Sequence, residues 1–255
     1  MNETPTDRRD MSLMAKLTLP EAHEPPWSLL SALLAVLAMF ICLAIIGPSF
    51  IAVVAASARP TPFELMASWS LGMALTSLFV FVSRRASEDS WAALRLRPGE
   101  LALPLALIFG LAIGLTVDLM AILTAGRFLP QAQVWALQTG GLPSLILSAL
   151  LLVVLQPVAE TLVFHAVLLP RLRWLLGHWL GVFATAAVYA GLHYLIFFQT
   201  VDADFLHWHG LVLPMLLAIS FGLLKVFSQS SLVVLIARMG AGLIFLLTAL
   251  ALVGG

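Results

Sequence analysis

The sequence predicts an all-α, polytopic membrane helix bundle of about seven transmembrane helices. Three observations carry this. The chain of 255 residues is 61% hydrophobic and 10% charged, with a mean hydropathy of +1.04, whereas an ordinary soluble domain is about 45–50% apolar and about 25% charged. Its apolar residues gather into stretches near the roughly 20 residues that a spanning helix needs. Lys and Arg alternate from one side of that array to the other. Helix is the secondary structure that fits, because an open strand leaves backbone groups unpaired in lipid.

Taken in order, residues 1–26 (MNETPTDRRD through EAHEPP) form a polar tail. They lack the pattern of a secretory signal and are expected to be retained. The first span starts at Trp27; it either runs through Gly47-Pro48 toward Ala58 or breaks there into a span and a short outer helix. The others are expected at Phe63–Ser83, Leu101–Ala125, Ser144–Leu169, Trp179–Phe198, Leu211–Phe227 and Ser231–Val253. SRRASEDSWAALRLRPGE reads as a connector with a short interfacial helix anchored by Trp91, and GRFLPQAQVWALQTGG as one anchored by Trp135. VDADFLHWHG reads as an interfacial loop with Trp208 as anchor rather than a metal site of His207, His209, Asp202 and Asp204. The expected division is a tail at 1–26, three spans with their loops at 27–141, and a core of four spans at 142–255.

Positive residues orient the array. With the N-terminus inside, the inner segments hold Arg8, Arg9, Lys16, Arg84, Arg85, Arg95, Arg97, Arg171, Arg173 and Lys225. The outer ones hold Arg59 and Arg127. The C-terminus then lies outside. Net charge is zero, so no basic surface points to nucleic acid. The single cysteine, Cys42, has no partner for an internal disulfide.

Asp118, Glu160, His165, His193 and Arg238 fall inside predicted spans. At about 1.5 Å rise per residue, Glu160 lies roughly 15 Å from the inner edge marked by Arg171, Arg238 roughly 14 Å from Gln229, and His193 roughly 20 Å from the inner end of its span. These three share a level near the midplane, and intramembrane ionisable groups face the bundle interior and pair with one another. A shared polar cavity is expected. A purely structural Glu160–Arg238 ion pair is the rival reading, weakened because such pairs rarely add stability over apolar packing. Asp118 sits near the outer interface as a simple interfacial acid. Glu160 and His165, five residues apart, face directions about 140° apart and do not form one couple.

PVAETLVFHAVLLPRL resembles the first motif of the CPBP family, which contains type II CAAX-prenyl proteases and bacteriocin-immunity-type membrane proteases. YAGLHY resembles the second motif through Tyr189 and His193, and SSLVVLIARMGAG occupies the place of the third with Arg238 and Gly242. The resemblance covers the chain from Leu142 onward. It implies a four-helix catalytic core and glutamic-type intramembrane proteolysis, with Glu160 and His193 polarising a water. This chain departs from the pattern at several points. Thr161 stands for the second glutamate, His165 for the arginine, Arg238 for the third-motif histidine, Gly242 for its polar companion and Tyr189 for phenylalanine. Thr161 and His165, at i and i+4, are expected to form a neutral hydrogen bond in place of an ion pair. Arg238 either stabilises an oxyanion or clamps Glu160.

The resulting expectation is an intramembrane endopeptidase, with Glu160 and His193 catalytic, Arg238 an oxyanion or charge partner, and Thr161, His165, Tyr189 and Gly242 in support. No cofactor or metal is expected. The partners are a membrane protein or peptide substrate and the lipid bilayer, and the location is the bacterial cytoplasmic membrane. A catalytically silent immunity or scaffold protein and a proton-coupled transporter are the alternatives. The transporter is disfavoured by the lack of an internal repeat.

Overall fold

The computed structural model describes residues 11–19, 21, 23–55, 61–126, 133–198 and 203–254. Among them, seven helices are long and apolar enough to cross a membrane. In chain order the helices are α1 (Leu13–Thr18), α2 (Leu29–Ala55), α3 (Pro62–Arg85), α4 (Glu88–Ala93), α5 (Leu103–Thr124), α6 (Gly141–Leu176), α7 (His178–Phe197), α8 (Ala203–Ser228) and α9 (Ser231–Leu252). Their starts follow local chemistry. Ser28 and Ser87 accept from the N–H groups of Ser31 and Ser90, and Thr61 with Glu64 forms a capping box ahead of Pro62.

Four of the prolines within the spans, those beyond the first turn, each follow a stretch of π-helix. The stretches are Cys42–Ile46, Leu150–Leu155, Thr161–Leu168 and Leu206–Val212, ahead of Pro48, Pro157, Pro170 and Pro214. In all four, the residue just before the proline donates its N–H five residues back: Gly47 to Cys42, Gln156 to Leu151, Leu169 to Phe164, and Leu213 to Trp208. A proline ring clashes with the carbonyl four residues back and brings no N–H. Widening the preceding turn moves that carbonyl aside without leaving buried backbone groups unpaired. The first span therefore runs through Gly47-Pro48 as one helix. The sixth starts at Ala203, not Leu211, so the expected interfacial loop is already helix from that point, and Trp208 and His209 are buried in it.

α6 is the central pole. Every residue of Thr161–Leu168 is buried, as expected of a helix apolar on all sides. α2 and α3 pack on one side of α6, α7 joins its lower end, and α9 lies between α6 and α5. The α5–α9 contact is close because Gly110 faces the Ala237 backbone and Gly240 faces the Leu107 carbonyl, with no room for a Cβ at either; small residues commonly allow such approach in membranes. Asp118 accepts from Thr248 Oγ1 at 2.7 Å across this same interface. Outward faces carry Leu30, Leu34, Leu37, Ile108, Leu115 and Leu123, the apolar surface a bilayer covers.

Apart from Arg238, the Lys and Arg among the described residues collect at one end of the bundle. There Glu21 lies between Arg95 (2.7 Å) and Arg173 (3.0 Å), Lys16 pairs with Glu100 (2.9 Å), and Arg171 pairs with Glu24. Trp27 donates its indole N–H to the Val167 carbonyl at 3.0 Å and lies under the Arg84 guanidinium. The second half of the polar tail is thus a strap fixed across this basic end. Trp91 of α4 is 42% exposed beside Phe81, as an interfacial anchor should be. Arg8, Arg9, Arg59, Arg127, Asp202 and the Trp135 side chain lie outside the described part.

Gly110→Ala should destabilise the protein by about 1–3 kcal/mol, because the new methyl meets backbone that cannot yield. Gly191→Ala, where nothing lies within 4 Å, should be neutral or gain about 0.5–1 kcal/mol. Thermal unfolding of the two variants in detergent checks this pair of outcomes.

Candidate active site

The widened turns position the site. Glu160 lies between two π-helical stretches of α6, and His209 lies within the one that opens α8. Each such turn changes the angular step from residue to residue, so the side chains are aimed differently from a regular helix.

Glu160 is completely buried and both carboxylate oxygens are engaged. Oε2 takes the Tyr189 hydroxyl at 2.6 Å and forms an ion pair with Arg238 Nη2. Oε1 takes the Gln156 amide at 2.9 Å and faces His193 Nε2 at 3.6 Å. Arg238 Nη2 also donates to the Tyr189 hydroxyl at 2.7 Å. The guanidinium lies over the rings of Tyr189 and Phe221, 5.3 and 5.1 Å from their centroids, which favours a desolvated cation. Its Nη1 is buried with no hydrogen-bond partner among the described residues.

The tautomer of His193 follows from its surroundings. Nδ1 lies 2.9 Å from the Tyr189 backbone carbonyl. A carbonyl can only accept, so Nδ1 carries a proton, and in the neutral ring Nε2 then presents a lone pair. Nε2 and Glu160 Oε1 are therefore two acceptors facing each other, with no proton of their own to share.

These groups line a cavity of about 80 Å³, with Gln156, His209 and apolar walls from Met39, Trp69, Phe205 and Leu217. A single water needs roughly 10–15 Å³ of such space and two to four polar partners, so the cavity has room for several. Gly242 lines it too, but a Cβ there would meet the Leu152 carbonyl. No side chain can stand at that position, and a polar companion to Arg238 cannot be restored there by substitution.

The structure brings Glu160, Tyr189, His193 and Arg238 together and leaves Thr161 and His165 outside the cavity. The expected Thr161–His165 hydrogen bond is not formed. Thr161 Oγ1 has no hydrogen-bond partner among the described residues, and His165 instead lies against the Ala218 backbone and meets Phe221 edge-on. That turn is π-helical, so the i, i+4 register behind the expectation does not apply. Two residues join the site that the sequence reading did not select. Gln156 sits four before Glu160, a spacing that was readable as one helix face. His209, buried against the Phe205 ring at 4.3 Å, was hidden by starting its helix eight residues late. Among the described residues, no group of three or more His, Cys, Asp or Glu side chains is arranged to hold a metal ion.

Fold and cavity together define an integral membrane protein with a buried carboxylate, imidazole and guanidinium converging inside the helix bundle. Residues 142–248 match the family model described as Type II CAAX prenyl endopeptidase Rce1-like, which bears out over that segment the resemblance read from the motifs. The segment is a little over two-fifths of the chain and contains Gln156, Glu160, Tyr189, His193, His209 and Arg238. No curated protein and no solved structure matches the chain.

Arg238→Met alone strands a buried carboxylate and should cost about 3–5 kcal/mol. Glu160→Gln with Arg238→Met removes both charges and should cost clearly less than the single change. A double-mutant cycle that includes Glu160→Gln alone, read by unfolding in detergent, measures the coupling; a loss in the double variant equal to the sum of the two single losses would mean that the pair does not couple.

Proposed function

We propose that the protein is a glutamic-type intramembrane endopeptidase hydrolysing peptide bonds of membrane-associated substrates, with Glu160 and His193 activating water. One observation carries the reading: two hydrogen-bond acceptors, Glu160 Oε1 and His193 Nε2, face each other 3.6 Å apart at the wall of a cavity wide enough for water. A water lying to one side of that line, about 2.8 Å from each, gives one O–H to the carboxylate and one to the imidazole. Its lone pairs then point into the cavity. Glu160 takes one proton as the oxygen attacks the scissile carbonyl carbon. The C=O electron pair moves onto the carbonyl oxygen, so the negative charge passes from Glu160 to that oxygen. Arg238 stays the counter-ion throughout, with Nη2 on Glu160 and the N–H groups of Nη1 free for the new oxyanion. Collapse breaks the C–N bond, and Glu160 returns its proton to the leaving nitrogen. Preorganised donors aimed at developing charge are the largest contributors to many such reactions.

In this reading Tyr189 and Gln156 orient the carboxylate, the core at 142–255 carries the chemistry, and α2 and α3 supply apolar wall. Thr161, His165 and Gly242 act through packing. By the charge distribution, the basic end and the N-terminus face the cytoplasm of a bacterial cell and the C-terminus faces outward.

One observation favours a second reading. Arg238 already occupies Glu160 in the resting protein. A carboxylate held in this way is consistent with a catalytically silent immunity or scaffold protein that keeps the ion pair for structure.

Purified protein in proteoliposomes, tested on a panel of membrane peptides, separates the two. The proteolytic reading expects Glu160→Gln to abolish cleavage, His193→Ala to lower it by about 10²–10⁴-fold, and Arg238→Gln to lower it by about 10²–10³-fold. Cleavage persisting in both Glu160→Gln and His193→Ala would end it. No cleavage by the wild type across the panel favours the silent reading.

A further inference from the structure

We infer that the open cavity at the basic end of the bundle, between α1, the segment ahead of α5 and the corner joining α8 to α9, binds an anionic phosphate group, of the kind carried by a phospholipid head group or by free phosphate. The cavity measures about 640 Å³, and its lining includes Lys16, Arg97, Glu100, Phe227, Ser228 and Gln229. None of these residues lines the Glu160 cavity.

The frame of this cavity is fixed by hydrogen bonds between two segments distant in sequence. The Ser231 N–H donates to the Arg95 carbonyl at 3.0 Å, and the Glu100 N–H to the Ser228 carbonyl at 3.2 Å. The hydroxyls of Ser230 and Ser231 donate to the carbonyls of Arg97 and Leu94. Arg95 and Gln229 both turn the chain with positive φ, 53° and 54°, and the Arg95 guanidinium donates to the Gln229 side-chain carbonyl at 2.5 Å. Gly99 faces the Ser228 carbonyl with no room for a Cβ. Backbone held in this way is preorganised, so little ordering cost falls on binding.

Around this frame positive charge exceeds negative. Arg95 and Arg173 share the Glu21 carboxylate, and Lys225 is within electrostatic reach of both Arg95 and Glu21. Lys16 pairs with Glu100 at 2.9 Å. Arg97 is an exposed residue of the rim, and its guanidinium has no carboxylate partner among the described residues. Five cations thus meet two carboxylates. A phosphate supplies negative charge, and the forked donors of an arginine match its oxygens. Phe227 is partly exposed, with the Lys16 ammonium 5.3 Å from its ring centroid; it offers apolar contact to the glycerol and first methylenes of a lipid.

Depth fits the same ligand. Ser228 is the last residue of α8, and Glu100 lies three residues ahead of α5. The cavity therefore sits where the hydrocarbon ends and the head groups begin. Basic pockets between spanning helices bind anionic head groups at this level. Binding here requires no cleavage, so the inference does not rest on the proteolytic reading.

The test uses full-length protein, delipidated in detergent and titrated with short-chain phosphatidylglycerol, short-chain phosphatidylcholine or inorganic phosphate, with bound ligand counted by native mass spectrometry. Phosphatidylglycerol should bind as one molecule per chain, more tightly than phosphatidylcholine. Arg97→Gln should weaken it about tenfold, the worth of one charge-assisted contact. Glu100→Gln, which removes the carboxylate lining the cavity, should tighten it, a gain that a misfolded variant cannot give. Arg85→Gln removes an exposed cation that does not line the cavity and should leave binding unchanged. Inorganic phosphate binding with the same dependence on Arg97 and Glu100 would assign the site to the free anion, and phosphatidylglycerol binding alone would assign it to lipid. Equal weakening by Arg97→Gln and Arg85→Gln, no gain with Glu100→Gln, equally tight binding of phosphatidylcholine, or no binding of either anion would overturn the site.

Discussion

The ion pair between Glu160 of the central helix and Arg238 of the last one governs the organisation of this protein. A charge in hydrocarbon costs several kcal/mol or more, so neither residue is tolerable without the other. Their pairing fixes α9 against α6, and α5 follows through the glycine contact with α9. Tyr189 bonds both partners and ties in α7. Phe221 lies under the guanidinium and ties in α8. Four helices are thus registered to one another by a single polar cluster, at the depth where lipid provides no alternative partners.

The hydrogen bonding of this cluster is incomplete. Here Arg238 Nη1 lacks a partner among the described residues, and Nε2 of His193 confronts another acceptor across 3.6 Å. Both residues line the same cavity. Water or a polar ligand resolves these deficits, and a peptide carbonyl together with a water resolves both at once. The cavity's apolar remainder excludes bulk solvent, which strengthens each of these interactions.

Much of the fold was legible in the sequence because the bilayer allows few solutions: an apolar stretch of sufficient length is a helix, and its buried charges face inward. Glu160, His193 and Arg238 could be placed at one depth by counting residues, and the structure joins them. What counting could not supply was the effect of proline. Pro157, Pro170 and Pro214 each force the turn before them to widen, and those turns carry or flank Glu160, His165 and His209. The facing of side chains therefore departs from a uniform 100° step. The Thr161–His165 hydrogen bond failed for that reason. His209 was missed because VDADFLHWHG is polar enough to read as a loop, whereas its second half is helix that buries Trp208, His209 and Gly210. The tail was likewise read only as polar, but Glu21 has partners distant in sequence, as has Trp27 at the start of the first span, and nothing local announces them.

The central claim is that the carboxylate of α6 and the imidazole of α7 hold a water between them inside the membrane. An experimental structure in a lipid nanodisc, at a resolution that shows ordered solvent, tests it most directly. The account predicts a water within hydrogen-bond reach of both Glu160 Oε1 and His193 Nε2, with Arg238 still paired to Oε2. A dry cavity, or a His193 ring turned away from the carboxylate, would contradict it.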